Sequence, residues 1–164
     1  MKKNICVFGG SVSGKNIENQ KTAKIIGKII AENNFNIVFG GGKNGIMGAV
    51  AQAVIENGAK TTGIIPNFLL KKDILDSAHS KIFNSKLIKT KTMHQRKKMM
   101  YDSSHGFLVL PGGIGTLDEC FEVLTWCQLN QIKNKNVGII NFKGYWDPLI
   151  LSLIHISEPT RPRE

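Results

Sequence analysis

The feature that most limits what this chain can fold into is an alternation: short β-branched runs are separated by longer segments of helical period. That alternation is the pattern of a parallel sheet covered by helices on both faces. Strands are expected near Ile5 to Phe8, Ile37 to Phe39, Thr61 to Ile65, Leu87 to Lys89, Phe107 to Leu110 and Val137 to Asn141. Helices are expected near Ile17 to Asn33, Gly45 to Asn57, Leu69 to Asp76, Thr92 to Ser103 and Thr116 to Gln131. The fold class is therefore α/β, a doubly wound, Rossmann-like parallel sheet in a single domain, here assigned to residues 4–150. In such sheets ligands sit beyond the carboxyl ends of the strands, and three strand ends here carry glycines.

A chain of 164 residues can bury one core without staples, and 41% apolar with 21% charged residues is an ordinary globular balance. No internal repeat or linker divides it. The amino terminus meets Gly9 too soon to hold a signal-peptide core or a membrane span, so a cytoplasmic protein is expected. Cys6, Cys120 and Cys127 each lie in an apolar run and are read as reduced core residues. The net charge of +10 invites polyanions, but the lysines are scattered and form no dense tract, so nucleic acid is not the expected partner. The end is atypical: Tyr145 to Ile150 begin an expected last helix, the pattern gives way at Ser157 to Glu164, where Pro159 and Pro162 cannot continue it, and residues 152–164 are set apart as an atypical tail. Ser152 to Arg163 also resembles the conceptual translation of a sequencing adapter, and no function is drawn from this tail.

The three glycine-rich turns differ in what they imply. Gly9-Gly10-Ser11-Val12-Ser13-Gly14-Lys15-Asn16 matches G-x-x-x-x-G-K but carries Asn16 where a magnesium-binding hydroxyl belongs, and no later strand ends in a metal-sharing aspartate. A triphosphatase is rejected. The glycines and Ser11 suit either a plain tight turn or one whose amides and hydroxyl meet an anion or a ribose. Gly40-Gly41-Gly42-Lys43-Asn44-Gly45 fits G-x-G-x-x-G, yet the next strand ends in Pro66-Asn67 and lacks the ribose-binding acid of a dinucleotide fold. A dehydrogenase is disfavoured, while Gly41 and Gly42 leave room for close approach to a smaller ligand.

The third turn is the most informative. Strand Phe107-Leu108-Val109-Leu110 runs into Pro111-Gly112-Gly113-Ile114-Gly115-Thr116, and the helix that follows offers unpaired amides and a partial positive charge to a phosphate. Glu119 then has two readings. Thr116-Leu117-Asp118-Glu119 is a formal capping box, with the acid folded back onto its own helix start. Alternatively the acid serves a part of the ligand other than its phosphate. The basic helix Met93-His94-Gln95-Arg96-Lys97-Lys98-Met99-Met100 is likewise either an exposed charged surface or a source of one arginine able to fork onto a phosphate or fix a carboxylate. His79, His94, His105 and His155 show no metal-ligand spacing, and no bound metal is expected.

Met93-His94-x-Arg96-Lys97-x-x-Met100 followed by Pro111-Gly112-Gly113-x-Gly115-Thr116-x-x-Glu119 closely resembles the LOG family, the cytokinin riboside 5′-monophosphate phosphoribohydrolases. Gly40 to Gly42, Gly45 to Val50, Gly63 to Pro66, Ile5 to Ser11 and Glu122 to Trp126 extend the likeness over roughly residues 4–150. The resemblance implies cleavage of the N-glycosidic bond of N6-substituted adenosine 5′-monophosphates to free base and ribose 5-phosphate, with no metal or redox cofactor, by a homodimer. It implies that Arg96 and Glu119 are catalytic, that Gly112, Gly113, Gly115 and Thr116 hold the phosphate, and that Met93 and Lys97 line the nucleotide site. An older name for such proteins, lysine decarboxylase, requires a pyridoxal-binding lysine that nothing in the sequence marks. Departures from the family are Gly where Cys is frequent in Gly9-Gly10-Ser11, Asp118 in place of the first Glu of a pair, and the loss of the carboxyl-terminal helix. Two alternatives stay open: a general nucleosidase acting on AMP and other monophosphates, and a non-catalytic nucleotide or cofactor carrier on the same fold.

Overall fold

A computed structural model describes residues 2–11, 17–70 and 85–157. Among the described residues it contains six parallel strands and five helices. In chain order these are β1 (Lys3–Phe8), α1 (Ile17–Glu32), β2 (Phe35–Phe39), α2 (Gly45–Glu56), β3 (Thr61–Pro66), β4 (Ser85–Thr90), α3 (Met93–Asp102), β5 (Gly106–Val109), α4 (Ile114–Gln128), β6 (Asn136–Ile139) and α5 (Asp147–Ser157). The expected helix from Leu69 to Asp76 lies almost wholly outside the described residues, as do Lys15 and Asn16 of the first turn, His79, and residues 158–164. Leu69 itself closes a short 3-10 turn, Asn67–Leu69. Helix α5 carries Pro148 in its first turn and is described as far as Ser157, the residue at which the helical pattern of the sequence gives way.

The sheet order is β4-β3-β2-β1-β5-β6. The chain thus builds outward from β1 in one direction and then returns to start again on its other side, with Val7 opposite Leu108. The reversal falls between β1 and β5, and the loops leaving these two strands diverge to opposite faces, which opens a crevice at their carboxyl ends.

Alternate strand residues supply two cores. Cys6, Phe8, Val38, Phe107 and Val109 pack with Met100, Tyr101, Cys120, Val123 and Trp146 on one face. Val7, Ile37 and Phe39 pack with Ala23, Ile30, Met47, Val50 and Val54 on the other. Cys6 and Cys120 are buried, as their apolar surroundings in the sequence suggest, while Cys127 is partly exposed.

Helix ends are set by residues that tolerate a left-handed backbone. Asn34 (φ 63°) stops α1, its N–H donating to Ala31 O at 3.0 Å, and Gly58 (φ 77°) stops α2 by donating to Ile55 O at 3.0 Å. These two helices lie unusually close. A Cβ on Gly27 would sit 2.6 Å from Val50 O and 2.7 Å from Ala53 Cβ, so α1 rests directly on the backbone of α2. Gly27→Val must push the helices apart, and overpacking of this kind costs about 1–3 kcal/mol. A lowered urea midpoint with an unchanged slope is the expected result; a midpoint equal to that of the parent chain would show that the two helices are free to separate.

Candidate functional site

The crevice at the β1/β5 switch point is a cavity of about 760 Å³, within the size range of nucleotide-binding pockets. All three glycine turns reach it, and short backbone bonds lace them together. Gly10 N–H donates to Pro111 O at 3.0 Å, joining the first turn to the third, and Met47 N–H donates to Gly10 O at 3.3 Å, joining α2 to the first. Only glycine permits this approach at Gly112, where a Cβ would stand 2.1 Å from Thr116 Oγ1 and 2.8 Å from Gly10 N.

Helix α4 begins at Ile114 with Gly113 as its N-cap, and no side chain caps it. Thr116 and Glu119 therefore lie inside the helix: Thr116 N–H donates to Gly113 O at 3.0 Å and Leu117 N–H to the same oxygen at 3.1 Å. This removes the capping-box reading, because the helix starts two residues before the threonine that would have capped it. The true side-chain cap belongs to α3, where Thr92 Oγ1 accepts from Gln95 N–H at 3.1 Å and Gln95 Oε1 accepts from Lys91 N–H at 3.0 Å.

That capped turn of α3 delivers Arg96. Its Nε donates to Ile64 O at 3.1 Å, and its Nη2 lies 3.2 Å from Glu119 Oε1, with both side chains largely buried at 13% and 8% exposure. The guanidinium occupies space that any side chain on Gly40 would fill, since a Cβ there would be 2.2 Å from Nη2. Burial raises the Glu119 carboxyl; Arg96 opposes this and Asp118 adds to it, so that the group is pushed up to about 7. A carboxyl in that range exchanges a proton near neutrality, as a general base must.

Nine of the residues singled out in the sequence line the cavity: Ser11, Gly42, Met93, Arg96, Gly112, Gly113, Gly115, Thr116 and Glu119. Gly41 and Lys97 are not among the lining residues. Gly41 (φ 78°) shapes the second turn, packing against Gly63 and Leu87 from behind. Lys97 faces α4, where its Nζ pairs with Asp118 Oδ2 at 3.1 Å and with Glu122, which also accepts from Tyr101 Oη at 3.2 Å. Its pKa is raised by these carboxylates against the opposing effect of burial. Lys97 thereby braces α3 against α4, one residue away from the Arg96–Glu119 pair.

Sequence reasoning missed Gly40, Asn19, Gln20 and Tyr145 as site residues, although all four line the cavity. Gly40 was hidden in a run of glycines, and Tyr145 comes from beyond β6, remote from either motif.

A family profile described as "Possible lysine decarboxylase" matches residues 47–160. The chain is 40% identical over 149 residues to the probable cytokinin riboside 5′-monophosphate phosphoribohydrolase LOG6 of Arabidopsis thaliana, covering 91% of this chain and 71% of the relative. It is 41% identical to the phosphoribohydrolase LOG7 of the same plant, covering 90% and 65%, and 38% identical to the probable enzyme LOGL5 of Oryza sativa subsp. japonica, covering 90% and 58%. The chain thus spans between 58% and 71% of the length of these three curated relatives. Among solved structures it is similar to the molybdenum cofactor carrier protein of Chlamydomonas reinhardtii, with a TM-score of 0.67 at 21% identity over 93% of this chain and 85% of that one. The molybdenum cofactor binding protein of Rippkaea orientalis gives 0.60 at 22% identity, over 94% and 98%. At such identities the likeness is one of fold. With 40% identity over nine-tenths of its length, the chain belongs to the LOG family, that of the cytokinin riboside 5′-monophosphate phosphoribohydrolases.

Proposed function

We propose that the cavity hydrolyses the N-glycosidic bond of nucleoside 5′-monophosphates, N6-substituted adenosine monophosphates above all, releasing free base and ribose 5-phosphate. The observation that carries this reading is the buried Glu119 carboxylate, held by Arg96 on the cavity wall one turn inside the helix whose amino end offers a phosphate seat. The names of the curated relatives support it. Apolar lining from Ile46, Met47, Ile65, Leu69 and Met93 suits a base with an alkyl substituent. A cytoplasmic homodimer belongs to the same reading; no helix among the described residues is long and apolar enough to cross a membrane.

In this mechanism the 5′-phosphate sits against the amides of Gly113 to Gly115 and the hydroxyl of Thr116, where the helix end favours an anion. Phosphate binding energy then holds the anomeric carbon in register with Glu119. As the bond from C1′ to the base nitrogen breaks, its electron pair leaves with the base and positive charge grows on C1′ and O4′. The Glu119 carboxylate stabilises that charge and takes a proton from the attacking water, whose oxygen bonds to C1′, while the departing nitrogen acquires a proton. Arg96 fixes the orientation of the acid.

Incubation with N6-isopentenyl AMP and with AMP, followed by chromatography, should release free base from the parent chain. Glu119→Gln should slow release by about 10²–10⁴-fold, the usual contribution of a positioned base, while nucleotide affinity changes little. Unimpaired turnover by this variant would remove the mechanism, and tight binding with no base released by the parent would mark a carrier.

The carboxylate must be ionised, so kcat/KM should fall as pH drops through about 7 and level off above it. Substrate phosphate also titrates, near a pKa of roughly 6, so the limb above that value is the diagnostic one. A profile flat from pH 6.5 to 8 would contradict the assignment.

Gly40→Ala should displace the guanidinium and leave Glu119 without its counter-charge. The acid limb then moves to higher pH, and turnover at pH 7 falls by roughly tenfold for every tenfold drop in the ionised fraction of the acid. An unaltered pH profile would mean that Arg96 does not set the ionisation of the acid.

A further inference from the structure

The Gly112–Gly113 peptide of the phosphate turn is flanked by two residues without side chains. With glycine on both sides its plane can rotate at little steric cost. A trans peptide carries its C=O and N–H on opposite edges, so a plane that turned over would present a carbonyl oxygen where an anion needs a donor. The structure contains a restraint on this plane: Tyr145 Oη donates to Gly112 O at 2.8 Å from 33 residues further along the chain.

The phenol is delivered by a stiff corner after β6. Tyr145 N–H donates to Phe142 O at 3.1 Å, and its ring stacks edge-on to Trp146 with centroids 4.8 Å apart. Trp146 is buried in the core, and its backbone N–H donates to Asn141 Oδ1 at 2.7 Å. Asn141 Nδ2 in turn donates to Asp147 Oδ1 at 2.6 Å, closing the corner onto the start of α5. Tyr145 itself is half-exposed and lines the cavity. Its hydroxyl proton is already committed to a carbonyl, so toward the cavity the oxygen offers lone pairs, which an anion does not seek.

We infer that Tyr145 is a positioning residue for the phosphate: by holding the Gly112 carbonyl it fixes the opposite edge of that peptide, the Gly113 N–H, as a donor to the 5′-phosphate. The inference rests on the phosphate placement proposed above. It assigns a role to a residue outside both family motifs and gives the region after β6 a part in substrate binding.

Tyr145→Phe keeps the ring and its packing while deleting one O–H, so its unfolding midpoint should stay near that of the parent. Binding of ribose 5-phosphate to the full chain, measured by calorimetry, should weaken about 5–20-fold in the variant, the cost of losing one ordered donor. With N6-isopentenyl AMP the KM should rise by a similar factor while kcat stays within about twofold, and the slow turnover of the corresponding nucleoside should not change. Equal ribose 5-phosphate affinity in parent and variant would overturn the inference, as would equal losses on nucleotide and nucleoside, or a parent chain that binds no sugar phosphate. A parent that binds ribose 5-phosphate yet releases no base from any nucleotide would refute the proposed hydrolysis alone, because the comparison of affinities needs no catalysis.

Discussion

A carboxylate removed from water must be paired or it will take up a proton, and the site is organised around that constraint at Glu119. Arg96 meets it with two nitrogens, one on Glu119 and one on the Ile64 carbonyl. Because the guanidinium is planar, anchoring Nε on β3 also sets the direction of Nη2, so the strand orients the acid through the arginine. Lysine could not transmit that geometry. The neighbouring Lys97 takes the simpler task of drawing Asp118 and Glu122 toward α3, which keeps two further negative charges compensated beside a group that tolerates little more.

The rest of the site is made of absences of side chain. Gly40 leaves room for the guanidinium, Gly112 for the Thr116 hydroxyl and the Gly10 amide, and Gly63 for the backbone of Gly41. Each is a contact too close for a Cβ: a side chain takes the space at Gly40, a side chain and a backbone amide at Gly112, and backbone at Gly63. This accounts for the glycine runs at these strand ends: they let three loops share one small volume.

The architecture was largely legible in the sequence because buried parallel strands and amphipathic crossovers have different periods, and each of the six expected strands overlaps one that formed. Boundaries moved by one to three residues where backbone bonding continued or stopped independently of side-chain pattern, as at Leu110, which donates to Phe8 O outside the assigned strand. The site was legible in its parts and not in its assembly. Thr116-Leu117-Asp118-Glu119 satisfies the spacing of a capping box, and only the earlier start of α4, imposed by Gly113 as N-cap, frees Glu119 for the cavity. Lys97 sits beside Arg96 in sequence, yet the 100° between successive helical residues turns it to a different neighbour. Tyr145 could not be anticipated, since nothing local to Lys143-Gly144-Tyr145-Trp146 refers to a turn some thirty residues earlier.

The switch point has a mechanical consequence. Loops from β1 and β2 belong to the half of the sheet built first, and those from β5 and β6 to the half built last; the β1–β5 ladder is the strand pairing that joins the two halves. A molecule lodged between Ser11 and Gly113 touches both. It therefore acts as a cross-brace over the seam, and its free energy of association adds to the cohesion of the folded chain by mass action. On the proposed reaction, a sugar phosphate retained after turnover would brace the seam as the reactant does, and resistance to unfolding would rise with its concentration.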